Sequence, residues 1–550
     1  MYLRTTQRKN RDGTVVKYYQ LAHNVRTAGS SQPTATVVHN FGRADEVNRD
    51  DLVRLCQSIA RVVGVEVRDP MATGEVGAAQ DVLCDGVEQQ VTRSYGVVLA
   101  VQSLWAELGI DRTLRAAAGD EAERALFAIV ANRLSEPASK LGVWERWLRT
   151  VHIPAAWDLP LDRMYSAMDA FHAHQDELER AVFFETSNLL NLVVDLVFYD
   201  TTTCSFSVDD TAHDDLRTYG YSKEGTWSAQ VVVALAVTRE GIPVRSWVLP
   251  GNTADVTTIE RVKADLREWK LGRVLLVGDA GMNSEDNRAT LARACGKYVL
   301  ACRPSGVNEI QDEVLGRPGR YKEIRPNLRV KEVVVGDGER RRRYIVCHNP
   351  ERAERERLHR EQAVAELEAE LASHTDRDAR RKWVAQVRTS GRYGRYVAVD
   401  NAGRAHIDRQ AVSDAARVDG KWVLITNDDT LSAADVADAY HSQQIVERGF
   451  RMLKSEQIDL SPVFHYRRSR VESHIKLCVL ALLVARVLEL RAKRPWARIR
   501  DTLEQVQVTE YTTPTHRFFR ANKVSGEVAE LLGLLKLEPP KPVVGVSTLT

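Results

Sequence analysis

Cysteine pairs that could build a zinc site or a disulfide framework are lacking in this sequence. The 550 residues contain seven cysteines, and no two of them are spaced as CxxC. Scattered cysteines in an odd number indicate reduced thiols in a cytoplasm and argue against both kinds of site. The seven are Cys56, Cys84, Cys204, Cys295, Cys302, Cys347 and Cys478.

An excess of charge and a long hydrophobic run are lacking as well. The chain has 77 basic and 75 acidic residues, so binding to nucleic acid must come from local basic patches. The most apolar segment, residues 477–490, contains Arg486 and Glu489, which predicts a buried helix and not a membrane span. The polar start MYLRTTQRKNRDG is not expected to be a signal peptide.

The composition that remains is that of a globular protein with substantial cores. Apolar residues make up 44% of the chain and charged residues 28%, and the length predicts about three or four modules. Two basic runs stand out, RRRR at 340–343 and FHYRRSR at 464–470. A basic run is more often a solvated face than a binding site, so each run alone is weak support for nucleic-acid binding.

The first 190 residues are predicted to form an N-terminal region for DNA binding or dimerisation. YLRTTQRK and TVVKYYQLAHNV flank a turn at 10–13, and TATVVHNFGR adds a third strand before a helix in DEVNRDDLVRLCQSIARVVG. Residues 97–190 have helical periodicity broken by Gly and Pro. A helical DNA-binding module and a purely structural bundle fit this pattern equally well.

An α/β pattern begins at residue 191. The strand NLVVDLVFYD is predicted to end in Asp200, and QVVVALAVT and VRSWVL follow as strands. After a helix at 256–269, the strand RVLLVGD ends in Asp279, and a further helix leads to the strand KYVLACRP. The predicted order is therefore three strands, helix, strand, helix, strand, with a carboxylate at the end of the first and fourth strands.

Residues 306–429 interrupt this core with a β-rich insertion, and the helical signal returns in SAADVADAYHSQQIVERGFRMLK. In a single helix, the seven-residue spacing places Tyr440, Glu447 and Lys454 on one face, with Gln443 and Arg451 on either side. An ordinary amphipathic helix with a solvated edge is the alternative. The core thus comprises 191–305 and 430–500, and 501–550 forms a C-terminal region, with a possible role in dimerisation, that ends in a loose tail.

Three acids of this plan have side chains suited to metal chemistry. Asp200, Asp279 and Glu447 could converge, and Mg²⁺ prefers oxygen ligands. Two such ions about 4 Å apart activate a water or a 3′-hydroxyl and stabilise the leaving oxygen of a phosphodiester. The alternative for either aspartate is an ordinary helix cap or turn acceptor at the end of a strand.

These motifs resemble those of the DDE transposases of the IS4 type, most closely the IS1634-like branch. The first acid matches FYDTTT, and the second matches VGDAGM followed by Asn283 and Ser284. The third matches the family pattern Tyr, two residues, Arg, three residues, Glu, six residues, Lys, with Gln443 at the Arg position. The resemblance covers about residues 190–490. It implies an RNase H-like core with a largely β insertion between the second and third acids.

The resemblance also implies a reaction and a site. Mg²⁺-dependent cleavage at element ends would be followed by transfer of the 3′-hydroxyls to target DNA, with Asp200 bridging two ions and Asp279 and Glu447 each completing one. Mn²⁺ is expected to substitute. The implied partners are double-stranded DNA, as terminal inverted repeats and target, and a second copy of the chain in a synaptic homodimer in a prokaryotic cytoplasm. Candidate DNA contacts are Tyr440, Gln443, Arg448, Arg451, Lys454, Arg340, Arg341, Arg342 and Arg343.

Some assignments stay open on the sequence alone. The four arginines 340–343 fit a phosphate clamp and a solvated turn equally well. His465 and His474 fit the family segment after the third acid but also fit core histidines. The alternative functions are an RNase H-like nuclease that has lost strand transfer and a non-catalytic DNA-binding protein whose acids are structural.

Overall fold

The computed structural model describes residues 2–9, 15–25, 34–47 and 87–549, with gaps at 208–215, 224, 272–273, 294–295, 304–308 and 401–402, and isolated residues between 52 and 62. The chain divides into two compact units. The first is Met1–Glu88 with Thr512–Thr515, and the second is Gln89–Tyr511 with His516–Thr550. Residues 89–190, expected from the sequence to belong to an N-terminal region, therefore lie in the same unit as the α/β core.

The first unit contains an antiparallel sheet of three strands in the order β1-β2-β3. The strands are β1 Tyr2–Lys9, β2 Val15–Val25 and β3 Thr34–Arg43. The three predicted strands are therefore present, and β1 and β2 pair in full register from Tyr2 with Ala22 to Lys9 with Val15. The turn at 10–13 and most of the helix predicted after residue 44 lie outside the described residues.

The second unit begins with a strand and a group of helices. These are β4 Glu88–Ser94, α1 Gly96–Glu107, α2 Ile110–Ala118, α3 Asp120–Ser135 and α4 Leu161–Leu190. Three acids in the first turn of α3 favour its start because they face the positive end of the helix dipole. Short helical turns at Lys140–Gly142, Val143–Trp147 and Leu148–Thr150 follow α3.

The predicted elements of the central sheet occur in the predicted order, with one additional strand, which was not predicted, directly after the first. They are β5 Leu196–Ser205, β6 Thr218–Tyr221, β7 Trp227–Thr238, β8 Pro243–Pro250, α5 Ile259–Glu268, β9 Leu275–Gly278, α6 Glu285–Ala292 and β10 Lys297–Cys302. Strand β8 is antiparallel to β7, and β7 to β5, whereas β5, β9 and β10 are parallel. This arrangement confirms the predicted α/β, RNase H-like core.

Strand β5 is longer than the sequence suggested. Its predicted end was Asp200, but it continues to Ser205 and pairs with β7 over its whole length. The extension has a local cause, since Thr201, Thr202 and Thr203 are β-branched and suit a strand. Asp200 therefore lies in the middle of a central strand.

The strands of the insertion extend the central sheet. The elements are β11 Lys322–Arg325, β12 Leu328–Val335, β13 Arg342–His348, α7 Pro350–Ser373, α8 Arg377–Thr389, β14 Val397–Val399, β15 Ala405–Ile407, α9 Arg409–Arg417 and β16 Lys421–Thr426. Strand β16 pairs with β10, and β13, β12 and β11 follow outward. A small separate core lies under α7 and α8, around Leu367, Trp383 and Tyr396.

Helices return after the insertion, followed by a second small sheet. The elements are α10 Ala433–His441, α11 Gln444–Lys454, α12 Arg468–Ala492, α13 Trp496–Leu503, β17 Gln507–Thr512, β18 His516–Ala521, α14 Gly526–Leu534 and β19 Val543–Thr548. Strands β19, β18, β17 and β4 form a sheet in that order, so the tail expected to be loose contains a paired strand.

Helix α12 is the buried helix that the apolar run at 477–490 predicted. Leu482, Val484 and Ala485 are fully buried, and the helix packs against α3, α4 and α11. The helices of residues 96–190 thereby share one hydrophobic core with β5 and α11. Among the described residues, no helix combines the length and apolarity needed to cross a membrane.

Candidate active site

Asp200 and Asp279 occupy equivalent places on two neighbouring parallel strands. Phe198 of β5 is in register with Val277 of β9. Asp200 follows Phe198 by two residues, and Asp279 follows Val277 by two residues. Strand β5 is buried along its length except at Asp200 and Ser205. Asp279 directly follows β9, and its Oδ1 accepts a hydrogen bond from the amide of Gly281 at 3.0 Å. The central sheet therefore brings the first two predicted acids side by side.

Two further charged residues, which sequence reasoning missed, lie at these acids. The Lys223 ammonium is 3.4 Å from Asp200 Oδ1 and 3.5 Å from Asp255 Oδ2. It also donates to the carbonyl oxygen of Thr201 at 2.6 Å, and the Thr201 hydroxyl donates to Asp255 Oδ1. Lys223 follows β6 and Asp255 follows β8, and both strands pair with β7 next to β5. No spacing in the sequence links these two residues to Asp200.

The negative charges of the acids affect one another's pKa values. Burial raises the pKa of Asp200 to about 6, with Asp279 adding to the rise and Lys223 opposing it. Burial also raises the pKa of Asp279, and the charge of Asp255 contributes. Several carboxylates that are partly removed from water and close enough to repel one another favour bound cations.

Glu447 joins this group from a different helix than the sequence suggested. The single helix predicted through Tyr440, Glu447 and Lys454 is broken at Ser442 and Gln443, so Tyr440 belongs to α10 and Glu447 to the first turn of α11. The one-face argument for all three residues is therefore wrong. Glu447 is exposed, while Val446 of the same turn is fully buried.

The Tyr440 side chain nevertheless connects the three acids. Burial, together with the negative charges of Asp279, Glu447 and Asp200, raises the pKa of its phenol to about 12. Helix α11 packs on β5 and β7 of the sheet, which holds Glu447 on the same side as Asp200. The structure thus brings Asp200, Asp279, Glu447 and Tyr440 into one neighbourhood.

The other candidate DNA contacts on α11 differ in accessibility. Gln443 is only 7% exposed, and its backbone carbonyl accepts from the amide of Val446, so the structure assigns it to the turn between the helices. Arg448 and Arg451 are exposed, and neither forms an ion pair with a described residue. Lys454 is half-buried in the last turn of α11.

The predicted phosphate clamp at 340–343 is mostly engaged in ion pairs. Arg341 pairs with Asp429, Arg342 with Glu285, and Arg343, which is 5% exposed, with Glu332. A guanidinium already bonded to a carboxylate is poorly placed to receive a phosphate. Arg340 is exposed at the end of a short turn, so of the four arginines it alone keeps the predicted role open.

The donor set at Asp200 suits a hard divalent cation. The Lys223 ammonium balances part of the charge of the Asp200 and Asp255 carboxylates, and the charges of Asp200, Asp279 and Glu447 all act on the Tyr440 phenol. Within the described ranges, no three histidine, cysteine, aspartate or glutamate side chains lie close enough together to hold a metal ion. The donors are carboxylate oxygens, which a hard divalent cation prefers. The Lys223 ammonium balances part of the negative charge that such a cation would balance.

The sheet order and the paired acids define an RNase H-like enzyme core. Residues 201–484 match the family described as Transposase DDE domain, and residues 3–66 match the IS1634 family transposase, N-terminal domain. Because the first match spans just over half of the chain, the protein belongs to the DDE transposases and is an IS1634-like member. This confirms the resemblance seen in the motifs. The match contains Asp279 and Glu447 and starts directly after Asp200.

Comparisons with solved structures and with curated protein sequences gave two further results. Among solved structures, a cryo-EM structure of a piggyBac transposase synaptic complex with hairpin DNA is similar over 70% of each chain, with 9% identity and a TM-score of 0.37. No match to a curated protein sequence was found.

Proposed function

We propose that this transposase cleaves DNA at the ends of its insertion sequence and joins the 3′-hydroxyls to target DNA in a Mg²⁺-dependent reaction. The observation that carries the proposal is the placement of Asp200 and Asp279 on adjacent parallel strands, with Tyr440 within electrostatic reach of both and of Glu447. Partly buried, mutually repelling carboxylates on adjacent central strands of a sheet favour phosphodiester chemistry over a purely structural role for the acids.

The carboxylates would share two divalent ions between them. Asp200, Asp279 and Glu447 would be the residues that hold these ions. The chemistry supplied by such a pair is activation of a water or 3′-hydroxyl and stabilisation of the leaving oxygen. Lys223 would hold Asp200 and Asp255 together before the ions arrive, and Tyr440 would keep the carboxylates partly shielded from water.

The DNA-facing groups would come from α11 and from the N-terminal region. Arg448, Arg451 and Lys454 lie one to two turns from Glu447 on the same helix, at a distance suited to phosphates that flank the scissile bond. The three-stranded sheet of the first unit would take part in binding the terminal repeats or in dimerisation. A homodimer holding two element ends in the cytoplasm would be the active assembly, to which the 501–550 region could contribute contacts.

The test uses the purified full-length chain and a plasmid that carries the DNA flanking its reading frame. Asp279→Asn and Glu447→Gln should bind this DNA as the unmodified protein does but should neither nick nor join it in Mg²⁺ or Mn²⁺. Asp286→Asn is the matched control, because it removes an exposed carboxylate seven residues from Asp279. The control should cleave and join normally.

The outcomes separate the competing functions. Cleavage without any joined product would favour a nuclease that lacks strand transfer. Binding by the unmodified protein without cleavage in either metal would favour a non-catalytic DNA-binding protein. Strand transfer by Asp279→Asn or Glu447→Gln at the normal rate would refute the metal-site assignment.

A further inference from the structure

A cavity of about 380 Å³ lies beside the N-terminal part of α12 and is lined mainly by cationic and aromatic side chains. Among the described residues of its lining, Asp459 is the one acidic side chain. A concave site with this balance of charge is unlike the acidic site at Asp200. The cations that line it are Arg133, Lys140, Arg467 and Arg470, and the imidazoles of His465 and His474 lie beside them.

Lys140 is the least compensated of these cations. It is 3% exposed, and the one hydrogen bond that its ammonium forms with a described residue is to His474 Nδ1 at 3.2 Å. Lys476, also buried and on the same helix as His474, instead pairs with Glu179 at 2.7 Å. Burying an ammonium without a counter-charge is costly, so the cavity beside Lys140 favours an anion that supplies one.

The potential inside the cavity is positive. Burial, together with the charges of Lys140, Arg470 and Arg133, lowers the pKa of His465 to about 3. Burial lowers the pKa of Lys140 to about 7, and Arg133 contributes. The neutral imidazoles leave the lysine and arginine groups as the charged donors, and an anion would stabilise the charged form of Lys140.

The remaining arginines divide into anchored and available groups. Arg133 donates to the carbonyl oxygens of Ile458, Asp459 and Ala138, which fixes its guanidinium in the wall. Arg470 pairs with Asp169 at 2.8 Å. Arg467 is exposed at the rim and forms no ion pair with a described residue. The cavity therefore has a fixed cationic wall and one cation at its mouth that can meet a ligand.

The cavity is also connected to the strand that carries Asp200. The Val463 backbone exchanges hydrogen bonds with Ser205 and Ser207, at 2.9 and 3.1 Å, where β5 ends. The Arg217 guanidinium lies 3.9 Å from the ring centre of Phe206 and 5.4 Å from that of Tyr466. Phe464 and Tyr466, next to His465, are 60% and 64% exposed. Cations interleaved with exposed aromatic rings are the composition of a nucleic-acid surface.

We propose that this cavity binds a backbone phosphate of the DNA, away from the scissile bond, with Lys140 as its buried counter-charge. The assignment to DNA rests on the function proposed above, whereas the anion site rests on the cavity alone. Asp200 and Ser205 are five residues apart along β5, roughly 17 Å at the rise of a strand. A duplex lying along this face spans that length in about five base-pair steps.

The test compares Lys140→Met with Lys476→Met in the full-length chain. Binding of a 30-base-pair duplex from the element end is measured by fluorescence anisotropy at several salt concentrations, and thermal unfolding is measured without DNA. Lys140→Met should weaken binding about fivefold to tenfold and reduce the salt dependence by about one counterion. Its melting temperature should be equal to or higher than that of the unmodified protein, because an uncompensated buried charge is gone.

Lys476→Met is the matched control, since it removes a buried lysine that has a carboxylate partner. It should lower the melting temperature, because Glu179 is left without its cation, but leave the DNA affinity unchanged. Arg467→Gln at the exposed rim is the second variant and should weaken binding even if Lys140→Met does not fold. Unchanged affinity and salt dependence in Lys140→Met, or in Arg467→Gln if only that variant folds, overturns the proposal.

A further arm distinguishes DNA from a free phosphate compound. Inorganic phosphate and pyrophosphate are added at millimolar concentration, and both thermal unfolding and DNA binding are measured. If phosphate or pyrophosphate competes with the duplex for the unmodified protein but not for Lys140→Met, the cavity binds a DNA phosphate. Thermal stabilisation by pyrophosphate without any effect of Lys140→Met on DNA binding would assign the cavity to a free phosphate and overturn the DNA source. Both readouts are independent of cleavage, so a failure of the catalytic proposal is recognised separately.

Discussion

The Lys223 ammonium and the Asp200 carboxylate form an ion pair, with 3.4 Å between Nζ and Oδ1, in the middle of the acidic site. Asp255 is on the other side of the same ammonium, at 3.5 Å. Lys223 thus supplies positive charge where a divalent cation is expected to bind. A lysine in this position competes with a metal ion for Asp200. When no metal ion is bound, its positive charge reduces the repulsion between the carboxylates.

Replacing this lysine should therefore change the response to metal. Lys223→Met removes the group that lowers the pKa of both Asp200 and Asp279. Without metal, the variant should unfold at a lower temperature than the unmodified protein. Saturating Mg²⁺ should raise its melting temperature by more than it raises that of the unmodified protein, because the ion no longer displaces an ammonium.

Differential scanning calorimetry in EDTA and in Mg²⁺ measures both quantities. Lys523→Met is the control, since Lys523 is exposed in the C-terminal region and carries the same charge. An equal increase on adding Mg²⁺ in all three proteins would show that Lys223 does not compete with the ion.

The raised pKa of Asp200 predicts a dependence of stability on pH. The folded protein holds the proton of Asp200 up to about pH 6, whereas the ordinary pKa is 3.8. Between these values the folded state binds more protons than the unfolded state, so stability decreases as pH rises through the window. Asp200→Asn lacks this loss. In EDTA it should be more stable than the unmodified protein at pH 7, by on the order of 2 to 3 kcal/mol, and similar to it at pH 4.

Thermal unfolding at pH 4, 5, 6 and 7 checks this prediction. Mg²⁺ should raise the melting temperature of the unmodified protein at pH 7 and have little effect on Asp200→Asn. A gap between the two proteins that stays constant with pH would mean that Asp200 is not titrating in this range.

Apart from β6, the sequence of strands and helices along the core could be predicted because it is encoded locally. Runs of β-branched and aromatic residues form β5, β7, β8, β9 and β10, and Asp279 follows its strand as expected. The buried character of α12 follows equally directly from its apolar composition. Each of these features depends on a few neighbouring residues, and each is present in the structure.

The features that could not be predicted depend on distant pairing. Lys223 and Asp255 reach Asp200 only because β6 and β8 pair with β7, which in turn pairs with β5. The ion-pair partners of Arg341 and Arg342 are Asp429 and Glu285, which are distant from them in the sequence. The break between α10 and α11 was missed for another reason. Val436, Ala437, Val446 and Phe450 continue a helical apolar pattern across it, so periodicity alone gives no sign of a turn.

Asp255 should support the reaction by positioning Asp200. Its Oδ1 accepts from the hydroxyl of Thr201, the neighbour of Asp200 in β5. Losing such a hydrogen bond costs about 1 to 1.5 kcal/mol, so Asp255→Ala, which removes the acceptor oxygen, should slow cleavage about tenfold. DNA affinity should not change. Thr201→Val should reproduce most of the effect if Asp255 acts through the hydroxyl.

The dependence of cleavage on Mg²⁺ concentration distinguishes positioning from direct binding of the ion. A positioning role predicts a lower maximal rate with little change in the half-saturating concentration. A large increase in that concentration for Asp255→Ala, not shared by Thr201→Val, would instead make Asp255 a metal ligand. Asp255→Glu should restore part of the rate in the first case.

The exposed arginines of α11 and the paired arginines of the insertion should behave in opposite ways. Arg448 and Arg451 have no ion pair with a described residue, so Arg448→Gln and Arg451→Gln should each weaken DNA binding several-fold and reduce the salt dependence by about one counterion. Arg343 is buried against Glu332, so Arg343→Gln should lower the melting temperature and leave DNA binding unchanged. Anisotropy titrations of a duplex at several salt concentrations, together with thermal unfolding, measure all three variants. We expect no loss of affinity in Arg343→Gln, because the charge of Arg343 is already neutralised by its internal ion pair. A loss equal to that in Arg448→Gln would contradict this expectation and would support the phosphate clamp predicted from the basic run.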